Sequence, residues 1–178
     1  MIYMVACRFA EARDTNRLAE WNRYYDGPKL DTLLSLPGFL GSQRFCCTHE
    51  TAAPYLALHS VRDAQVFDEH YAQNGGGGFE GWDGAIDNWS RDLFDGLDAA
   101  PAVGDDDYLV ITDDPATAAA LTGVEFAWLD SAGLDQSVRR RALAVLPSED
   151  GEDLVDFRPA ALRLYRPITQ LRLPPGTS

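Results

Sequence analysis

Lysine is almost missing from these 178 residues: Lys29 is the only one, against 14 arginines. The bias reads as one of composition rather than of function. Cysteine is scarce too, with Cys7, Cys46 and Cys47 alone. Three cysteines cannot staple a disulfide framework, and the adjacent pair on one strand would point to opposite faces, so a reducing, cytoplasmic setting is expected. No apolar run approaches the roughly 18 residues of a membrane span. The start, Met1 to Val5, has neither a basic lead nor a small-residue cleavage site, so no signal peptide is expected. Positive charge is outweighed, 15 Lys and Arg against 28 Asp and Glu, for a net charge of −13. A surface that negative repels phosphate backbones and anionic lipid, so neither nucleic acid nor membrane is an expected partner. Metal and phosphate-loop motifs are missing as well. There is no His-x-x-x-His, no Cys-x-x-Cys and no Gly-x-Ser-x-Gly elbow, and Gly75 to Gly78 is not a phosphate loop, since no Gly-Lys-Ser/Thr follows it. No metal and no cofactor is expected.

What is present is unevenly spread. Pro101 to Asp107 combines turn formers with three aspartates, as a linker would. It divides the chain into residues 1–100 and 101–178. The first part holds 14 of the 19 aromatics, all three histidines and all three cysteines. A small-molecule site is therefore expected in residues 1–100, and residues 101–178 read as mainly architectural.

Hydrophobic periodicity orders the first part β-α-β-β-α-β. Ile2 to Phe9 alternates as a strand, with Tyr3, Val5 and Cys7 on one face. Asp14 or Thr15 can cap a helix on which Leu18, Trp21 and Tyr25 share a side. Gly27-Pro28 interrupts that helix, and Leu36-Pro37-Gly38-Phe39 ends its continuation. Strands are predicted over Gly38 to Thr48, Tyr55 to Val61 and Ser90 to Leu97. Helices are predicted over Asp63 to Tyr71 and, shorter, over Trp82 to Trp89. The second part repeats the order weakly: strands at Tyr108–Thr112, Val124–Leu129 and Val138–Leu146, a helix at Ala116–Leu121, and extended pieces at Leu162–Tyr165 and Thr169–Leu173. The predicted architecture is α+β: two βαββαβ units, the second degraded, whose bare sheet faces cover each other as a pseudo-dimeric α+β barrel. A single unit with an unrelated extension is the other possibility.

The run Trp21-Asn22-Arg23-Tyr24-Tyr25-Asp26-Gly27-Pro28, then Leu36-Pro37-Gly38-Phe39 and Arg44-Phe45, resembles the dimeric α+β barrel (ferredoxin-like) superfamily, and within it the EthD-like branch. The resemblance covers residues 1–100. It implies a ferredoxin-like unit there; the tandem length departs from the family's usual short, oligomerising unit, and the second half would replace the partner subunit. It leaves the chemistry open among cofactor-free monooxygenases, lactone isomerases, polyketide cyclases, aldoxime dehydratases and haem enzymes. Where that branch carries a helix histidine, this chain has Tyr25-Asp26.

Several side chains could carry chemistry. His59, on the third predicted strand, would face the helices and serve as proton donor or acceptor, or else be a bonded core histidine. Tyr25 or Asp26 would be the second proton group; the other reading is core packing for the tyrosine and a turn for the aspartate. Arg44 would stabilise an oxyanion, or else pair with one of the many acids. Trp21, His70, Tyr71, Trp82 and Trp89 would wall the pocket, with His70 equally suited to a helix end. The glycines Gly75 to Gly78 would hinge a lid or form a plain surface loop. The expected function is a cofactor-independent enzyme moving a proton on a small apolar, aromatic or lactone-like metabolite. A non-catalytic binding or assembly protein, with a homo-oligomer as a further possibility, is the competing reading.

Overall fold

The computed structural model describes residues 1–67, 69–73, 78–156 and 158–176, with the backbone alone for Glu69, His70 and Asp156. The first strand, β1 (Ile2–Phe9), leads into α1 (Thr15–Tyr24), a π turn (Tyr25–Lys29) and α2 (Leu30–Ser35). Asp14 caps α1 by accepting from the Asn16 and Arg17 amides. The interruption predicted at Gly27-Pro28 takes the form of that π turn. Pro28 has no N–H for the usual ladder, and a π turn re-spaces the hydrogen bonds so the helix continues past it.

Next come β2 (Phe39–Cys47) and β3 (Tyr55–Val61). A 3₁₀ turn (Ala64–Phe67) and α3 (Glu69–Gln73) precede β4 (Ile86–Asp95). The remainder runs β5 (Tyr108–Thr112), α4 (Pro115–Ala120), β6 (Ala127–Leu134), β7 (Arg140–Leu146), α5 (Ser148–Asp156) and β8 (Leu162–Pro167). All eight strands pair antiparallel in one closed barrel, ordered β1-β3-β2-β8-β5-β7-β6-β4. Within it the first four strands lie as β4-β1-β3-β2 and the last four as β8-β5-β7-β6, the same relative order twice. The seams between halves are β2–β8 and β4–β6.

Strand alternation makes two cores. Ile2, Met4, Phe45, Leu58, Phe94 and Leu109 point into the barrel, together with Leu129 and Leu143. Tyr3, Val5, Cys7 and Ala57 point outward beneath Trp21, Tyr25, Leu30 and Leu33 of the helical layer. Outside the second half, Tyr108, Val110, Leu162 and Leu164 form a smaller core with Leu154 of α5.

Several sequence expectations need correction. Trp82 to Trp89 is not a helix: a 3₁₀ turn at Asp83–Ala85 runs into β4, so the two tryptophans sit on different elements. Asp63 to Tyr71 is broken into a 3₁₀ turn and α3. The second strand of the second half begins at Ala127, not Val124, and α5 lies where no helix is predicted. The Pro101–Asp107 stretch does more than link. Val103 is buried, and Gln43 from inside the barrel bonds both its N–H (3.0 Å) and its carbonyl (2.8 Å), closing one end of the barrel. The Thr169–Leu173 piece joins β2 only through the mutual backbone bonds of Arg172 and Ser42.

Candidate functional site

The helix-covered face of the first half gathers most of the residues singled out in the sequence. β1 supplies Tyr3, β3 supplies His59, and β2 supplies Ser42 and Arg44 on the same side. α1 lays Trp21 over them, and the π turn delivers Tyr25, Asp26 and Lys29. Trp21 and Tyr25 share a face as predicted, ring edge to ring face at 5.8 Å.

His59 is fully buried. Its ring stacks on Tyr3 (5.2 Å, 27°) and meets the edge of Phe39. Neither ring nitrogen has a hydrogen-bond partner among the described residues. Burial, helped by the charges of Lys29 and Arg44, pushes its pKa down to about 3, so the ring is neutral across the physiological range.

Arg44 is buried and committed. Its guanidinium pairs with Asp26, donates to Asn22 Oδ1 (3.1 Å), and lies over the rings of Tyr25 (4.1 Å) and Trp21 (4.8 Å). Arg44 and Asp26 are therefore each other's partner, which for Arg44 is the acid pairing given as its alternative and for Asp26 is a contact beyond the turn given as its own. Burial raises the Tyr25 hydroxyl far above its usual range despite Arg44 nearby.

Tyr71 joins the group through a 3.0 Å bond between its hydroxyl and that of Tyr3. Burial raises both phenols. Trp82 lies farther out, its ring tilted against those of Tyr24 and Phe9 with Arg17 over it. Trp89 is 39% exposed and touches Phe79 at 5.3 Å. His70 belongs to α3, and its side chain lies outside the described residues, as do Gly75 to Gly77 of the expected lid.

Sequence reasoning missed two residues here. Strand alternation puts Tyr3 on the helix-facing side but assigns it no role, and composition alone gives Lys29 none. It is buried, donates to the Gly78 carbonyl and lies 5.9 Å from the Phe79 ring centre. Burial lowers its pKa to about 8, against the opposing pull of Asp83 and Glu80. The available signal was position: the only lysine stands beside Pro28, in the helix already marked by its aromatics.

The space between these groups is small. One crevice under Tyr3, Tyr25, Lys29, Phe79 and Trp89 holds about 10 Å³, the lower limit for one water. A second, beside Trp21, Tyr25 and Arg44, has no room even for that. Tyr25 lines both crevices and His59 lines neither. Nor do the described residues hold any group of three His, Cys, Asp or Glu able to bind a metal. All three cysteines are thiols, and no described helix is long and apolar enough to cross a membrane.

No protein-family profile and no curated protein matches the chain. Solved structures do resemble it. An "anthrone oxidase-like protein" superposes with a TM-score of 0.58 at 10% identity, covering 98% of this chain and 92% of its own. A "putative monooxygenase" from Lactobacillus acidophilus NCFM superposes with a TM-score of 0.54 at 10% identity, covering 97% and 95%. At that identity the likeness shows the fold alone: this chain is built as an α+β barrel of the kind those proteins share.

Proposed function

We propose that the chain is a small-molecule enzyme that needs no cofactor and moves a proton on an apolar, aromatic or lactone-like metabolite. The site is the helix-covered layer of residues 1–100. On this reading each half is a ferredoxin-like unit, and the EthD-like resemblance of Trp21 to Phe39 reflects the same descent. The repeated strand order and the neighbours' descriptions as oxidase-like and monooxygenase support it.

The observation that carries the proposal is Lys29, an amine with a pKa of about 8 buried among phenols. At neutral pH part of it is unprotonated, and a buried neutral amine is a competent base. It takes a proton from the activated carbon. The Tyr3–Tyr71 hydroxyl pair supplies a donor to the oxygen on which charge collects. Arg44 and Asp26 hold Tyr25 against Trp21. His59, neutral and too weakly basic to take up a proton, buttresses Tyr3. The substrate ring takes the place of the Phe79 ring against Tyr25 and Trp89.

The test is deuterium exchange at the acidic carbon of anthrone and of unsaturated lactones in D₂O, followed by NMR. The rate should rise with pH through about 8 and level off above it, since the base is the deprotonated amine. Lys29→Met should slow exchange by about 100-fold or more, the usual worth of a positioned base. Unchanged exchange in that variant removes Lys29 from the chemistry. One observation favours the assembly reading instead, the 10 Å³ crevice. Under it, the same compounds neither exchange nor raise the melting temperature.

A further inference from the structure

The barrel itself has an open end, opposite the one closed by Gln43 and Val103. A cavity of about 330 Å³ lies there, within the range of small-molecule sites. Its apolar wall comes from Ala6, Leu56, Ile111, Val138 and Tyr165. These side chains belong to the barrel core. On the remaining wall stand Asp113, Arg141 and Arg163.

The charges there do not balance. Arg141, its side chain 8% exposed, grips Asp113 with two nitrogens at 2.7 and 3.2 Å. Arg163 reaches the same carboxylate with Nη2 at 2.6 Å. Two guanidiniums thus share one carboxylate. Among the described residues, Arg141 Nη1 has only the Met4 sulfur, at 3.7 Å, as a partner, with the Phe94 ring centre 5.2 Å from the guanidinium carbon. A donor in a fixed fork next to sulfur and hydrocarbon is under-used. Asp92, buried beside Ser137 of the cavity wall, is occupied by the Ser137 amide (2.7 Å) and hydroxyl (2.5 Å). At the rim Arg8 donates to the Thr51 and Ala52 carbonyls. The Thr51 hydroxyl, on the cavity wall, is buried without a partner among the described residues. So a protein of net charge −13 keeps a cationic, partly apolar hollow at one end of its barrel.

The geometry points to a binding site for a small organic acid: one carboxylate on Arg141 and Arg163, with an apolar body against Leu56, Ile111, Val138 and Tyr165. Fixed guanidiniums in a low-dielectric recess attract such an anion against the field of the surface. The site is separate from the helix-covered layer and does not depend on the chemistry proposed there.

Benzoate and its neutral isostere benzamide are suitable probes, titrated while the methyl NMR signals of Ala6, Ile111 and Val138 are followed. Benzoate should saturate and shift those signals; benzamide should bind roughly tenfold more weakly or not at all. Arg163→Gln, at the more exposed arginine, should weaken benzoate about tenfold or more. Asp113→Asn removes the competing carboxylate and should tighten it. Lys29→Met should leave benzoate binding unchanged. Equal binding of the two probes, undiminished affinity in Arg163→Gln, or loss in Lys29→Met would overturn the proposal. If Asp113→Asn does not fold, Arg163→Gln with the methyl shifts still decides.

Discussion

His59 shows what burial does to one residue. A histidine with a pKa of about 3 in the folded protein and about 6.5 in the unfolded chain is a stability device before it is anything else. Between those values the unfolded chain binds a proton that the folded chain refuses. The stability from this group is therefore complete above about pH 6.5 and is lost progressively as the pH falls toward 3. At about 1.4 kcal/mol per unit, the loss reaches about 2 kcal/mol by pH 5. Its two unpartnered nitrogens also carry a desolvation cost that a phenyl ring would not. His59→Phe should thus be at least as stable as the parent at pH 7 and lose about 2 kcal/mol less between pH 7 and pH 5. Urea melts at the two pH values measure this directly. An equal loss in both proteins would mean that the acid sensitivity comes from other groups.

Among the elements, the joined helices α1 and α2 and their exit turn hold two glycines with opposite roles. Gly27, inside the π turn, has no heavy atom within 4 Å of the place its Cβ would occupy. Its φ is not in the left-handed region, so alanine there only restricts the unfolded chain. Gly27→Ala should stabilise by about 0.5–1 kcal/mol. Gly38 turns the chain from α2 into β2 with φ of +95°, and an added Cβ would sit 2.2 Å from Val66 Cγ1. Gly38→Ala should cost about 2 kcal/mol or more, since strain and clash add. Chemical denaturation of the pair checks both signs at once. These positions also show what the sequence could reveal. The Pro-Gly turn, the strand faces of Tyr3 and His59, and the Trp21–Tyr25 pairing were legible because period and turn chemistry are local. α5 was not, because Ser148-Glu149-Asp150-Gly151 has the composition of an acidic loop. There Gly151 instead lets the helix backbone press onto the Tyr108 ring, where a Cβ would lie 2.1 Å from a ring carbon. The strand beginning at Ile86 hid behind the seven-residue spacing of Trp82 and Trp89. In the candidate site, the aromatic wall could be read, but the pairing of Arg44 with Asp26 and the burial of Lys29 depend on how far α1 runs before the π turn, which spacing alone does not set.

At the scale of the molecule, closure of the barrel decides how it unfolds. Neither half keeps a free sheet edge while the β2–β8 and β4–β6 seams are made. The barrel core mixes Met4, Phe45 and Phe94 from residues 1–100 with Leu109, Leu129 and Leu143 from the rest. Val103, from the connecting stretch, is packed into the same core. Removing either half would strip apolar side chains from the other and expose two strands of unpaired backbone groups. The two halves should therefore unfold in one transition. Tryptophan fluorescence, with three of the four indoles in residues 1–100, and far-ultraviolet circular dichroism, which reports on the whole barrel, should give coincident urea midpoints. Val103→Asp, which places a charge among apolar side chains inside the barrel, should lower both midpoints together, by several kcal/mol in stability. Fluorescence and dichroism curves that separate, or a Val103→Asp effect seen in one probe only, would mean that the halves hold themselves together without the shared interior.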